Sequence, residues 1–362
     1  MSLDATEPRE ARRIVLAAAE EVGFASAAVC DAGPTEHPEA LRAWIAAGKH
    51  GEMRYLADRL DLLLDPARLL PGARSVVVVA DRYHDGRPDR RTSPRVGRIA
   101  RYARGRDYHL VLRRRLERLV AAISPRLPGA SWRICVDTAP LLERELAARS
   151  GLARIGKHTL AIARGLGSWI LLGEVLTDAL IAPSDADPSP DPCGGCTRCL
   201  DACPTRAITP FSVDATRCVS YLTIEHRGEI AESFHAPLGD WIFGCDVCQE
   251  VCPHNQPTRR AARAPIEPSL APRRAGFDLL EVLGWREEDR RAAFTTSALK
   301  RAKLAMIRRN AVIAAGNALA AGEIDPDEGR RLAARLRAIA ADAAEEPLVR
   351  RMAEVVVARI AE

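Results

Sequence analysis

Eight of the ten cysteines in this 362-residue chain lie between Cys193 and Cys252, and their spacing restricts what that stretch can become. Cys193, Cys196, Cys199 and Cys203 are followed by Pro204, the CxxCxxCxxxCP run of two-cluster ferredoxins. Cys245, Cys248 and Cys252 are followed by Pro253, with Cys218 upstream. Three thiolates at intervals of three residues can wrap one cubane cluster from a single turn of chain. The next cysteine, one residue further on, enters a helix that points away and so serves the neighbouring cluster. On that logic Cys193, Cys196, Cys199 and Cys252 hold one [4Fe-4S] cluster; Cys203, Cys218, Cys245 and Cys248 hold the other, Cys218 taking its place by elimination.

Other cysteine chemistries fit less well. Disulfide frameworks suit small secreted domains, whereas this long chain starts with acidic and basic residues and no apolar stretch of a signal peptide. Zinc takes pairs of CxxC, and a four-cysteine run ending in Cys-Pro suits one tetrahedral ion badly. Cys30 and Cys135 stand alone among apolar neighbours and are expected to be buried structural residues.

The length predicts two or three domains. A hydrophobic content of 47% without an apolar run long enough for a bilayer predicts a soluble protein with no membrane partner. Exposed clusters call for a reducing compartment, by default the cytoplasm. The net charge of +5 is modest, but arginine is concentrated in particular stretches, which points towards a polyanionic partner.

Along the chain, residues 10–22 have helical periodicity, and Ser75 to Ala80 (SVVVVA) is a β-branched run suited to a strand buried on both faces. A basic helix is expected from Leu110 to Ile123 and a strand from Trp132 to Val136, ending at Asp137. Pro140 opens a further helix, and Trp169 to Leu176 is another strand. This alternation predicts an α/β domain over residues 1–182. The Pro- and Asp-rich stretch from Ala182 to Pro192 reads as a linker into a cluster domain, residues 183–257. Residues 278–362 read as a helical module in which Ala298 to Leu319 pairs an apolar stripe with a basic one.

Taken in order, several segments resemble the epoxyqueuosine reductases, cobalamin- and iron-sulfur-dependent enzymes of tRNA modification. They are MRYL from Met53, DPARLLPGARSVVVVA up to Ala80, RYARGRDYH (Arg101 to His109), VDTAPLLERELAARSGLARIGKHTL (Val136 to Leu160) and GSWILLGEVLTD (Gly167 to Asp178). RCVSYLTIEHRG (Arg217 to Gly228), GCDVCQEVCPHN (Gly244 to Asn255) and KRAKLAMIRRNAVIAAGN (Lys300 to Asn317) complete the series, which covers nearly the whole chain. The resemblance implies a nitroreductase-like α/β domain that binds cobalamin, a two-cluster ferredoxin-like domain and a HEAT-like helical module that binds tRNA. It implies reduction of epoxyqueuosine to queuosine at the tRNA wobble position, with an external low-potential electron donor. A monomer is expected.

Expelling the epoxide oxygen needs a positioned acid. Asp137 matches the family's proton-donor motif and stands at the end of a predicted strand. To donate, its pKa has to be raised by burial. The competing reading of Asp-Thr-Ala-Pro is a helix cap, with Asp137 or Thr138 satisfying free N–H groups. DYHLVL, from Asp107, begins like a DxHxxG cobalamin signature but has Leu112 where glycine is required. The resemblance implies instead that the cofactor contacts Asp137, Lys157, His158, Ser220, Cys245 and Asp246. His158 replaces the family's usual asparagine, and Leu63 stands where an arginine is usual.

For tRNA, the phosphate-binding candidates are Lys300, Arg301, Lys303, Arg308 and Arg309, with His226 and Arg227 at the mouth of the site. Arg98, Arg101, Arg104 and Arg106 form a second cationic stretch. Two other functions compete. A reductive dehalogenase would share the cofactors but usually has an export signal and lacks a basic helical tail. A non-catalytic electron carrier or tRNA-binding scaffold would have no use for residues 1–182 or for Asp137.

Overall fold

The computed structural model describes residues 6–361 apart from 85–86, 88, 90–92, 186–190, 258–263 and 265. The centre of the expected linker therefore lies outside the described residues.

The valine run forms the strand Ser75–Arg82, every residue of which is buried. Its period of two sends Val77 and Val79 to one face and Val76, Val78 and Ala80 to the other. The first face is covered by the helices Pro8–Val22 and Tyr108–Ile123, whose Val15, Leu112, Leu116 and Leu119 are fully buried. Leu112, which breaks the cobalamin signature, is thus a core residue. The second face is covered by the short helix Glu143–Arg149 through Leu146 and Ala147. Cys30 and Cys135 lie in this layer and are buried, as expected.

The four strands run in the order Ser26–Asp31, Ser75–Arg82, Ile170–Thr177, Trp132–Cys135. All three pairings are antiparallel. The rule that parallel α/β sheets collect reacting groups at their carboxyl edge therefore does not apply, and Asp137 owes its position to something else. The helix expected at Pro140 begins only at Glu143.

Nor does the core divide where the composition changes. A second sheet joins Trp241–Phe243, Val96–Ile99 and Gly276–Asp278, drawing strands from the first two expected units and from the segment that leads into the third. Tyr221, Leu222, Trp241 and Phe243 share one hydrophobic cluster with Ile307, Val312, Leu336 and Val356 of the C-terminal helices Leu304–Ala321, Pro326–Ala341 and Pro347–Ala361. This shared apolar burial holds the cluster segment against the helical tail. No helix among the described residues is long and apolar enough to cross a membrane.

Candidate functional site

Where these parts meet there is an open cavity of ≈ 840 Å³. Tyr102, Tyr108, His109 and Asp137 line it from one side, Cys218, Ser220 and Tyr221 from another, and Lys300 and Arg301 from the tail. The wall at Tyr221 depends on Gly51, whose φ of 58° favours glycine and whose missing Cβ would stand 2.4 Å from the Tyr221 hydroxyl.

Asp137 follows the strand Trp132–Cys135 by two residues and has a left-handed backbone with φ 45°. Few residue types other than glycine tolerate this, and aspartate is one. Its amide donates to Glu143 Oε1 at 2.5 Å, so the helix that follows reaches back to fix the turn. Its carboxyl does not cap that helix, whose N-cap is Leu142. Instead Oδ2 accepts from Tyr108 Oη and from His109 Nε2, both at 2.8 Å. Asp107 caps the Tyr108–Ile123 helix and also bonds His109 Nδ1 at 2.8 Å. The result is a chain of three groups, Asp107, His109 and Asp137, at the positive end of a helix.

This geometry reverses the expected pKa of Asp137. Burial does push its carboxyl up, but hydrogen bonds from His109 and Tyr108, then the charges of His109 and Arg301, outweigh it and hold the group below the usual carboxylate range. Burial also disfavours a charged His109. The hydrogen bonds and charges of Asp107 and Asp137 prevail, and its pKa is raised to about 9. The resting proton of the pair therefore sits on the imidazole. Sequence reasoning missed His109 and Tyr108 because DYH was weighed only as a cobalt ligand motif.

None of the eight clustered cysteines forms a disulfide. Cys252 is influenced by Cys193, Cys199 and Cys196. Cys245 is influenced by Cys218 and Cys203, and Cys248 by Cys245 and Cys218 and also by Cys199, so the two expected ligand sets lie close together. Among the described residues no three His, Cys, Asp or Glu side chains could hold one metal ion. A cubane needs a wider arrangement, because each thiolate binds a different iron.

Several expected cofactor contacts lie elsewhere. Lys157 donates its amide to Cys193 Sγ at 3.3 Å and its Nζ to the carbonyls of Gly194 and Cys196, so it braces the first cysteine loop and does not line the cavity. His158 is buried behind it, and burial lowers its pKa to about 4. Asp246 is also buried, accepting the Arg101 amide at 2.8 Å beside the Arg101 guanidinium, and Cys245 is half-buried near Cys218. Of the implied set, Asp137 and Ser220 line the cavity. Leu63 does so too, as a buried side chain.

The basic stretches divide in the same way. Arg309 is fully buried and donates to the carbonyls of Leu222, His226 and Gly228, and Arg308 pairs with Glu345. Neither presents charge to a partner, because the helix Leu304–Ala321 is enclosed on nearly all sides. Arg101 and Arg104 are likewise buried against Asp89, and Arg98 pairs with Asp240. Lys300, Arg301, Lys303, Arg227 and Arg106 are exposed, and His226 bonds Glu52. Arg59 and Tyr55, which the sequence reading passed over, join Arg301 at the cavity, with the Arg301 guanidinium 5.6 Å from the Tyr55 ring centre.

Residues 64–138 match the family model described as Epoxyqueuosine reductase QueG, DUF1730, and residues 192–255 match the 4Fe-4S double cluster binding domain. The chain is 38% identical over 382 residues to the epoxyqueuosine reductase of Burkholderia pseudomallei (strain K96243), covering 97% of this chain and 93% of that one. It belongs to the epoxyqueuosine reductase family. The epoxyqueuosine reductase of Escherichia coli (strain K12) is 39% identical over 305 residues, 82% of this chain and 79% of that protein. Among solved structures, an epoxyqueuosine reductase with an epoxyqueuosine-modified tRNA-Tyr stem loop superposes with a TM-score of 0.83 at 26% identity, over 98% of this chain and 91% of that one. The Bacillus subtilis epoxyqueuosine reductase, with an aspartate-bearing catalytic loop swung out of its active site, gives 0.82 at 25% identity, over 97% and 90%.

Proposed function

We propose that Asp137 and His109 act as one proton-delivering pair in the reduction of epoxyqueuosine to queuosine in tRNA, the reaction of the family to which this oxidoreductase belongs. In this reaction both C–O bonds of the epoxide break and a C=C bond forms. Two electrons and two protons enter, and the oxygen leaves as water. The observation that carries the reading is the shared wall: Asp137 with its hydrogen-bonded imidazole faces the same cavity as Cys218, a thiol of the cluster segment.

The 4Fe-4S clusters take Cys193, Cys196, Cys199 and Cys252, and Cys203, Cys218, Cys245 and Cys248. The cavity suits a corrin: it is wide, its wall is largely aromatic and aliphatic, and Ser220 and Asp137 offer polar contacts at its edge. Ser220 and Asp137 would hold cobalamin there, and it would supply the low-potential electrons that side chains cannot. The ionised Asp137 relays the Nε2 proton of the His109 imidazolium to the leaving oxygen, while Asp107 holds the Nδ1 proton. The domain labels implied by the resemblance, nitroreductase-like, ferredoxin-like and HEAT-like over residues 1–182, 183–257 and 278–362, belong to the same proposal. So do a cytoplasmic monomer and an external electron donor.

If His109 is the reservoir, turnover stays level while it is protonated and falls as pH rises through about 9. The same sign governs stability: a histidine with a raised folded pKa stabilises fully below its unfolded value of 6.5 and loses that contribution as pH rises through about 9. His109→Ala removes this upper limb from the pH–rate profile; an unchanged limb contradicts the role. At the mouth, Lys300, Arg301, Lys303 and Arg227 contact phosphates, and Tyr55 offers a face for a base. The triple variant Lys300→Ala, Arg301→Ala, Lys303→Ala should weaken tRNA binding at least about tenfold and flatten its salt dependence by roughly two to three counterions. A wild-type salt slope in that variant counts against the interface.

A further inference from the structure

Behind Asp137 lies an acid the mechanism does not use. Glu174 stands in the middle of the strand Ile170–Thr177, is completely buried, and receives no N–H or hydroxyl donor from the described residues at either carboxyl oxygen. It is opposite Val78 and Cys135 in the sheet, and the strand's alternation turns it to the layer containing Cys30, Leu146 and Ala147. An isolated carboxylate there would carry a large desolvation cost. The group that approaches it is another acid, Glu143, which also accepts the Asp137 amide. Two carboxylates cannot bond each other; one carboxyl and one carboxylate can.

We infer that Glu143 and Glu174 share one proton, and that the Glu143 carboxylate held in this way latches the Asp137 amide and so keeps the catalytic loop closed. This rests on the reading of Asp137 above. It makes Glu143 a positioning residue and Glu174 the proton donor that keeps Glu143 in place. The latch matters because Asp137 occupies a left-handed backbone that needs support, and because the corresponding kind of loop in the Bacillus subtilis enzyme is found swung out.

The other groups facing the pair permit this. Asp137 adds negative charge, which favours one shared proton over none, and Arg144 favours one remaining carboxylate. Cys135 and Cys30 are neutral thiols whose burial raises them, Cys30 to about 12. Both glutamates are raised, chiefly by burial. A carboxyl raised in the folded state binds its proton more tightly there, so the closed loop is favoured at low pH and loses support as pH rises towards the folded pKa. The pKa of His109 is raised as well, to about 9, so the test has to separate the two.

The experiment is hydrogen exchange of the loop peptide from Val136 to Leu142 in the anaerobically reconstituted holoenzyme, corrected for intrinsic rates. Glu143→Ala should speed exchange of this peptide about tenfold or more, the scale of one charge-assisted hydrogen bond, with cluster and corrin absorbance unchanged. Glu143→Gln, which keeps an acceptor without charge, should give about a threefold increase and serves if the alanine variant does not fold. Glu174→Gln donates permanently to Glu143, so it should match wild type at acidic pH and stay protected as pH is raised and wild type opens. Wild-type exchange in Glu143→Ala would overturn the latch. Glu174→Gln opening along with wild type would assign the pH effect to His109 and overturn the shared proton. Full turnover in Asp137→Asn would instead remove the catalytic reading while leaving these exchange results standing.

Discussion

Asp137→Asn should lose turnover by about a thousandfold or more while the absorbance of both clusters and of bound cobalamin stays at wild-type intensity. The asparagine fits the same turn and tolerates the φ of 45°, and its carbonyl can still accept from Tyr108 or His109. It cannot carry a proton from His109 to an epoxide oxygen. The loss should therefore appear in kcat with little change in KM for the tRNA, as expected when an interaction of the transition state alone is removed. Single-turnover assays under anaerobic conditions measure it. Near-normal turnover would mean that the proton reaches the oxygen by another route.

The largest effect on stability should come from Arg309. Its guanidinium is fully buried, it makes no ion pair among the described residues, and it is satisfied by three backbone carbonyls and the Asn310 side chain. Burial lowers its pKa to about 10, still far above neutrality, so the charge persists. Arg309→Ala leaves the carbonyls of Leu222, His226 and Gly228 without donors and opens a hole between the cluster segment and the helical tail. A loss of roughly 3–5 kcal/mol is expected, by the magnitudes for unpaired buried polar groups and for large-to-small changes. Thermal unfolding should show a fall of roughly 5–10 °C. Arg301→Ala is the control: that side chain is exposed and paired with Glu225, so its removal should cost less than about 1 kcal/mol.

These two arginines show where sequence reasoning stops. Arg301 and Arg309 lie in one basic segment, and nothing in their spacing distinguishes a charge that meets phosphate from one that stitches the core. The difference is made by the 222–228 backbone, which comes from distant sequence to cover Arg309. Lys157 was misread for the same reason, since its partners at Gly194 and Cys196 are contributed by the cysteine loop. The cysteine pattern was legible because cluster binding imposes its period directly on the local chain. The buried valine strand was legible for a similar reason, although its antiparallel partners were not, because pairing direction depends on connections and not on a strand's own composition. The motif singles out Asp137, but its pKa is lowered and not raised. Only the fold brings His109, 28 residues earlier, to its carboxylate.

The most direct test is chemical. The chain is reconstituted anaerobically with iron, sulfide and cobalamin, supplied with a strong reductant, and given tRNA bearing epoxyqueuosine; the nucleosides are then analysed by mass spectrometry. Loss of one oxygen atom from epoxyqueuosine, dependent on cobalamin and absent in Asp137→Asn, is the result expected. Unchanged epoxyqueuosine with the wild-type holoenzyme, or equal conversion by Asp137→Asn, would contradict the account.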